Sequence, residues 1–219
     1  LGAMGMSHAL AYTRIPGFEV AGVCERRIAS RELPEALKAA ARFDDFAKAL
    51  AATKPEIVSI NTLPDTHASF ACAAIEAGAH VFVEKPLALT VEAAERTVAA
   101  ARRTGRKLVV GYILRHHPSW QRFIAEARAL GGPYVMRMNL NQQSSGPAWD
   151  THRRLLETTP PIVDCGVHYV DVMCQITDAP RDDRRLGSLA CARRAQQEEA
   201  QRTFRLRISD AHESSGLDR

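Results

Sequence analysis

Along the first half of the chain, short apolar runs alternate with longer stretches of helix-like periodicity. Residues 18–24 (FEVAGVC), 57–61 (IVSIN), 80–83 (HVFV) and 107–112 (KLVVGY) are rich in Val and Ile, which predicts strands. The run at 57–61 is nearly all apolar, as in a parallel strand buried on both faces. The intervening stretches predict helices. One covers 6–14, opens in the Gly2–Gly5 turn and is ended by Pro16-Gly17. Others cover 32–40, then 44–52 with Asp44 and Asp45 at its start, 65–77 stopped by Gly78, and 90–103 with Thr90 as cap and Gly105 as stop. Strands alternating with helices of this length make a parallel sheet with helices on both faces, an α/β Rossmann-like domain over residues 1–112. The pattern asks for one more strand immediately before Gly2, which the sequence does not contain.

After Tyr112 the pattern changes, which places a domain boundary near residue 113. A helix is expected over 118–130, broken by Gly131-Gly132-Pro133. A strand with one wet face is expected over 134–141, then a loop over 144–161 with a short helical segment at 151–156, then a helix over 165–176. Residues 113–180 thus read as the start of a second, incomplete α/β domain. Residues 181–219 are an atypical tail, rich in Arg and with Phe204 as the sole aromatic residue. The tail offers one helical stretch at 188–202 and a short alternating one at 203–208, too little to complete a core. A truncated chain, or a change of reading frame near 178–185, accounts for this better than a new domain.

Composition narrows the class. Apolar residues are 46% and charged residues 25%, as in an ordinary globular protein. No run of 18 apolar residues occurs, and the start LGAMGMSH lacks the basic and apolar regions of a signal peptide. Five scattered cysteines without C-x-x-C fit a reduced, cytoplasmic protein. The net charge of +4 is too small and too dispersed to argue for nucleic acid.

Three segments carry candidate chemistry. Gly2-Ala3-Met4-Gly5 fits the last two glycines of G-x-G-x-x-G, where the backbone approaches a pyrophosphate and the helix N-terminus faces it. A plain turn is the alternative. Glu25 follows the next strand, 20 residues after Gly5, where a carboxylate accepts from ribose hydroxyls; a surface acid at a strand end is the other reading. Arg26 and Arg27 beside it are placed to swing toward a 2′-phosphate. Val83-Glu84-Lys85-Pro86 sets a charged pair at the C-terminal end of a strand, where these folds bind ligands. Lys85 there can hold a substrate oxygen, or the segment is a solvated loop. Residues 61–67 (NTLPDTH) leave the neighbouring strand; His67 either touches a cofactor or caps and packs. In PIVDCGVHYVDVM, spacings of four and three put Asp164, His168 and Asp171 on one helical face, with Gly166 leaving room beside it. His168 can serve as general base with Asp164 orienting it. A metal site and a structural hydrogen-bond network are the rival readings.

Glu84-Lys85-Pro86, joined to D-x-G-x-H-x-x-D at Asp164, Gly166, His168 and Asp171, resembles the Gfo/Idh/MocA oxidoreductases. The family's G-x-G-x-(M/W)-G, often followed by a histidine, is similar to Gly2 through Gly5 and His8, and its acidic residue is similar to Glu25. Its T-P-x-x-x-H loop is similar to Thr62 through His67, with an extra residue before Pro64. The resemblance covers residues 1–178. It implies a nucleotide-binding domain, a substrate domain that builds a homo-oligomer in the full-length parent, and NAD as cofactor, with NADP kept open. It implies sugars, inositols or related polyols as substrates. It implies Lys85, Asp164 and His168 as catalytic residues and no metal. The cofactor contacts it implies are Gly2, Ala3, Met4, Gly5, Glu25, Arg26, Thr62, Leu63, Pro64, His67, Glu84 and Lys85. Where the family often has glycines before its catalytic aspartate, this chain has Thr158-Thr159-Pro160-Pro161, so the substrate is not inherited. A nucleotide-binding regulator and an NAD-using hydrolase or lyase are the alternatives.

Overall fold

Five short strands, all parallel to their neighbours, form the frame of the N-terminal half. The structure, a computed structural model, describes residues 1–139, 145–157 and 159–177. Strands β1 (Gly22–Cys24) and β2 (Ala41–Phe43) pair with each other. Strands β3 (Ile57–Ile60), β4 (His80–Val83) and β5 (Leu108–Val110) form a second sheet in that order. Among the described residues no strand joins the two sheets.

The helices follow from local chemistry. Helix α1 (Ala3–Tyr12) opens in the glycine turn, with Gly2 as its N-cap, and ends two residues before the expected Arg14. Helix α2 (Phe46–Thr53) is capped by Asp45, whose carboxylate accepts from the Lys48 N–H at 2.8 Å. Helix α3 (Pro64–Glu76) opens on a proline, and Gly78 turns the chain at φ +91° into β4. Helix α4 (Val91–Thr104) is capped by Thr90 and ends at Gly105, whose φ of +66° a residue with a side chain rarely adopts. Helices α3 and α4 lie side by side and bury an alanine-rich seam. Ala71, Ala74, Ile75, Val81, Val83, Val98 and Leu108 belong to this core. A smaller core gathers Ala9, Val23, Ile28, Leu33, Leu37 and Ala40 around β1.

The second segment is helical throughout its described elements: α5 (Pro118–Leu130), α6 (Pro147–Leu156), α7 (Pro161–Asp164) and α8 (Gly166–Thr177). Helix α8 packs on α5 and on the 3-10 turn Ile113–Arg115 that leaves β5.

Four expectations are corrected. Residues 32–40 form no α-helix: 3-10 turns at Ile28–Ser30 and Glu35–Leu37 flank Pro34, which supplies no N–H and cannot sit inside a helix. The unexpected β2 follows directly. The strand expected over 18–24 is reduced to Gly22–Cys24, because β2 offers only three paired positions. Residues 134–139 form no strand: no described strand lies beside them, and Val135 is fully exposed. The helix expected over 151–156 starts earlier, at Pro147. Residues 140–144, 158 and the expected tail elements at 188–208 lie outside the described residues.

Candidate functional site

Register decides which segments meet. Ile60 pairs with Val83 and Val83 with Val110, so the three strands of the larger sheet end side by side. The segments that follow, 61–67, 84–86 and 111–115, therefore leave one sheet edge together, the edge at which parallel sheets take ligands. Helix α1 starts at the same place: Gly5 is buried, and a Cβ added to it would stand 3.4 Å from the Asn61 Cβ.

Around the α1 N-terminus, Gly2, Ala3 and Met4 are exposed and no side chain caps the first turn. Its unpaired backbone N–H groups and positive helix end suit a phosphate. A side chain on Gly2 would meet nothing within 4 Å, so the approach is open. Glu25 leaves β1 and lies 2.8 Å from the Arg31 Nε, a partner that spacing did not reveal; Arg26 is exposed beside it. Thr62 and Leu63 are exposed at the end of β3. Pro64 and His67 are not. Pro64 is buried as the first residue of α3. His67 is 1% exposed, with its ring nitrogens 2.7 Å from the Pro86 carbonyl and 3.1 Å from that of Thr62. Of the two readings of His67, the structure therefore shows packing: it braces two loops from below.

The other half of the site comes from residues far away in sequence. Lys85 Nζ donates to both the Asp164 Oδ1 and the Asp164 main-chain carbonyl, each at 2.8 Å. Asp164 ends α7 and is 6% exposed. Burial pushes its carboxyl up. The hydrogen bond and charge of Lys85, aided by the Cys165 thiol and His152, outweigh burial and hold it below its ordinary range. Burial, then the neighbouring Asp164, pushes the Cys165 thiol up.

The polar face expected on a single helix is divided. Cys165 separates α7 from α8, so Asp164 and Asp171 serve different partners. Asp171, fully buried, accepts a two-pronged bond from Arg115, Nε to Oδ2 at 2.9 Å and Nη2 to Oδ1 at 2.6 Å. The Arg115 guanidinium also lies 5.1 Å over the Tyr112 ring, and that ring meets His168 edge-on at 6.5 Å. Beside Gly166 the space is taken by Ile162: an added Cβ would stand 2.5 Å from Cδ1, the far end of that exposed side chain.

Residues 1–112 match the family profile described as an oxidoreductase family with an NAD-binding Rossmann fold, Gfo/Idh/MocA. The chain belongs to this family. D-glucoside 3-dehydrogenase of Escherichia coli (strain K12) is 29% identical over 177 residues, covering 79% of this chain and 50% of that protein. Inositol 2-dehydrogenase of Salmonella typhimurium (strain LT2) is 28% identical over 180 residues, covering 79% of this chain and 51% of that protein. Among solved structures, GenD2 from gentamicin A biosynthesis in complex with NAD superposes with a TM-score of 0.65 at 25% identity, covering 82% of this chain and 52% of that one. The chain thus spans about half the length of the curated relatives it matches.

In this member of the Gfo/Idh/MocA family, no helix among the described residues is long and apolar enough to cross a membrane. Among those residues no group of three or more His, Cys, Asp and Glu side chains gathers as a metal would require.

The Lys85–Asp164 contact has a testable acid limit. Because the folded Asp164 carboxyl titrates below its unfolded value, the pair contributes fully above the ordinary carboxylate range, near ~4. Its contribution fades as pH falls through the lowered folded value. Hydrogen exchange across residues 161–177 should show protection that persists through the ordinary carboxylate range and drops below it. Asp164→Asn should flatten that drop. An identical acid profile in the variant would dissociate the pair from docking.

Proposed function

We propose that the whole protein catalyses reversible hydride transfer between NAD and a carbinol carbon of a sugar, inositol or related polyol. The observation that carries this reading is the Lys85–Asp164 contact, which sets a lysine from a sheet edge against a helix pair 79 residues away. The residues present fit a dinucleotide. The uncapped α1 N-terminus would take the pyrophosphate, and Glu25 the adenosine ribose. Thr62 and Leu63 would border it. When bound, NAD supplies the hydride-accepting chemistry.

The side chains of this chain divide the remaining work. The Lys85 ammonium holds the substrate oxygen as negative character develops on it. His168 accepts the hydroxyl proton. Asp164 keeps Lys85 aimed through two hydrogen bonds. The named activities of two relatives, on a D-glucoside and on inositol, support an alcohol carbon of a cyclic polyol as the reacting group. Thr159 is buried ahead of Asp164 where the family often has glycine, so the preferred polyol is this chain's own.

Titration with NADH and NADPH tests the cofactor. Glu25 repels a 2′-phosphate, and Arg31 offsets only part of its charge. NADH should bind more tightly. Tighter NADPH binding contradicts this assignment, and failure of both to bind removes the functional reading.

A further inference from the structure

Glu84 has no task in the chemistry above, yet its side chain is only 13% exposed at this edge. Its carboxylate lies over Gly111, where an added Cβ would stand 3.2 Å from Oε2 and 3.3 Å from Oε1. Oε2 accepts the main-chain N–H of Lys85 at 3.3 Å. Oε1 is buried and receives no hydrogen bond, but the His8 Nε2 stands 3.3 Å from it. A buried carboxylate oxygen without a donor is costly unless a cation faces it. The His8 imidazole is the group in place to face it. The Phe82 ring packs against the His8 ring at 5.2 Å, and the Tyr12 hydroxyl lies 3.4 Å from the His8 Nδ1. Beyond Tyr12 stand the uncharged Ser59, Asn61 and Phe18, while the Lys85 ammonium turns away to Asp164.

We propose that His8 and Glu84 are a positioning pair for Lys85. His8 belongs to the helix that opens at the glycine turn, and Glu84 precedes the lysine and holds its main chain. The pair thus ties the nucleotide end of α1 to the loop carrying the lysine. The inference rests on reading Lys85 as the group that holds the substrate oxygen.

The test has readouts that need no substrate. Acetic anhydride labels Lys85 in the protein, and mapped labelling is normalised to the exposed Lys54. His8→Gln and Glu84→Gln should each raise Lys85 labelling by about fivefold, the scale of a partly exposed ion pair. The double variant should label no faster than either single one, since both remove the same contact. Glu84→Asp, which keeps the charge, should restore part of the protection. Unchanged labelling, additive effects in the double variant, or labelling in Glu84→Asp as fast as in Glu84→Gln would each overturn the pair. Parental protein that binds no NADH while the labelling cycle holds would reject the cofactor reading and leave the pair standing.

Discussion

Lys85→Met should leave NAD affinity close to parental and lower hydride transfer by ~10²–10⁴, the scale of losing a positioned charged or acid–base group. The pyrophosphate is assigned to the α1 N-terminus, which the lysine does not build, so binding and chemistry should separate. The ammonium donates twice to Asp164, and a methionine of similar length keeps the packing while losing both bonds and the charge. His168→Ala should show the same separation, with an additional signature. Only a neutral imidazole accepts a proton, so oxidation by the parental enzyme should slow in acid, and the variant should lose that dependence. Transient kinetics of NADH formation with inositol and D-glucosides, next to NADH titrations, measure both quantities. A His168→Ala enzyme oxidising its substrate at the parental rate at every pH would remove His168 from the mechanism.

Arg115→Met should be the most destabilising single change in the second segment. Asp171 is 0% exposed and takes both prongs of the Arg115 guanidinium, so the variant removes the facing cation and two donors from a buried carboxylate. Breaking one partner of such a pair costs ~3–5 kcal/mol. The loss should be local at first: hydrogen exchange should rise across residues 166–177, because Arg115 is a direct link between the β5 exit and α8. The double variant Arg115→Met, Asp171→Val should regain most of the stability, since an apolar pair leaves no stranded charge. It should not regain activity, because Tyr112, whose ring meets His168 edge-on, loses the guanidinium that lies over it. A single variant as stable as the parent, by denaturant unfolding, would show that solvent reaches Asp171.

Much of the larger sheet was legible because its signals are local. Strand β4 (His80–Val83) and helix α5 (Pro118–Leu130) fall where periodicity places them, and α2, α3 and α4 differ from expectation by one or two residues at their ends. Caps, glycine stops and apolar runs act within a few residues, so sequence alone determined them. The same holds for the order of the motifs: strand alternation was enough to bring residues 61–67 and 84–86 to one edge.

What the chain could not announce was pairing across distance. Whether residues 18–24 and 134–139 become strands depends on a neighbour supplying hydrogen bonds, and the first received three paired positions and the second none. Helical spacing alone grouped Asp164, His168 and Asp171. Tertiary structure separated them, because each buried carboxylate settles where a cation can approach: Lys85 for Asp164, Arg115 for Asp171. Glu25 acquired Arg31 and Glu84 came to face His8 in the same way, while the buried His67 settled between two main-chain carbonyls. Local propensity selects elements, but desolvation selects the partners of charged groups, and that selection is made only when the elements pack.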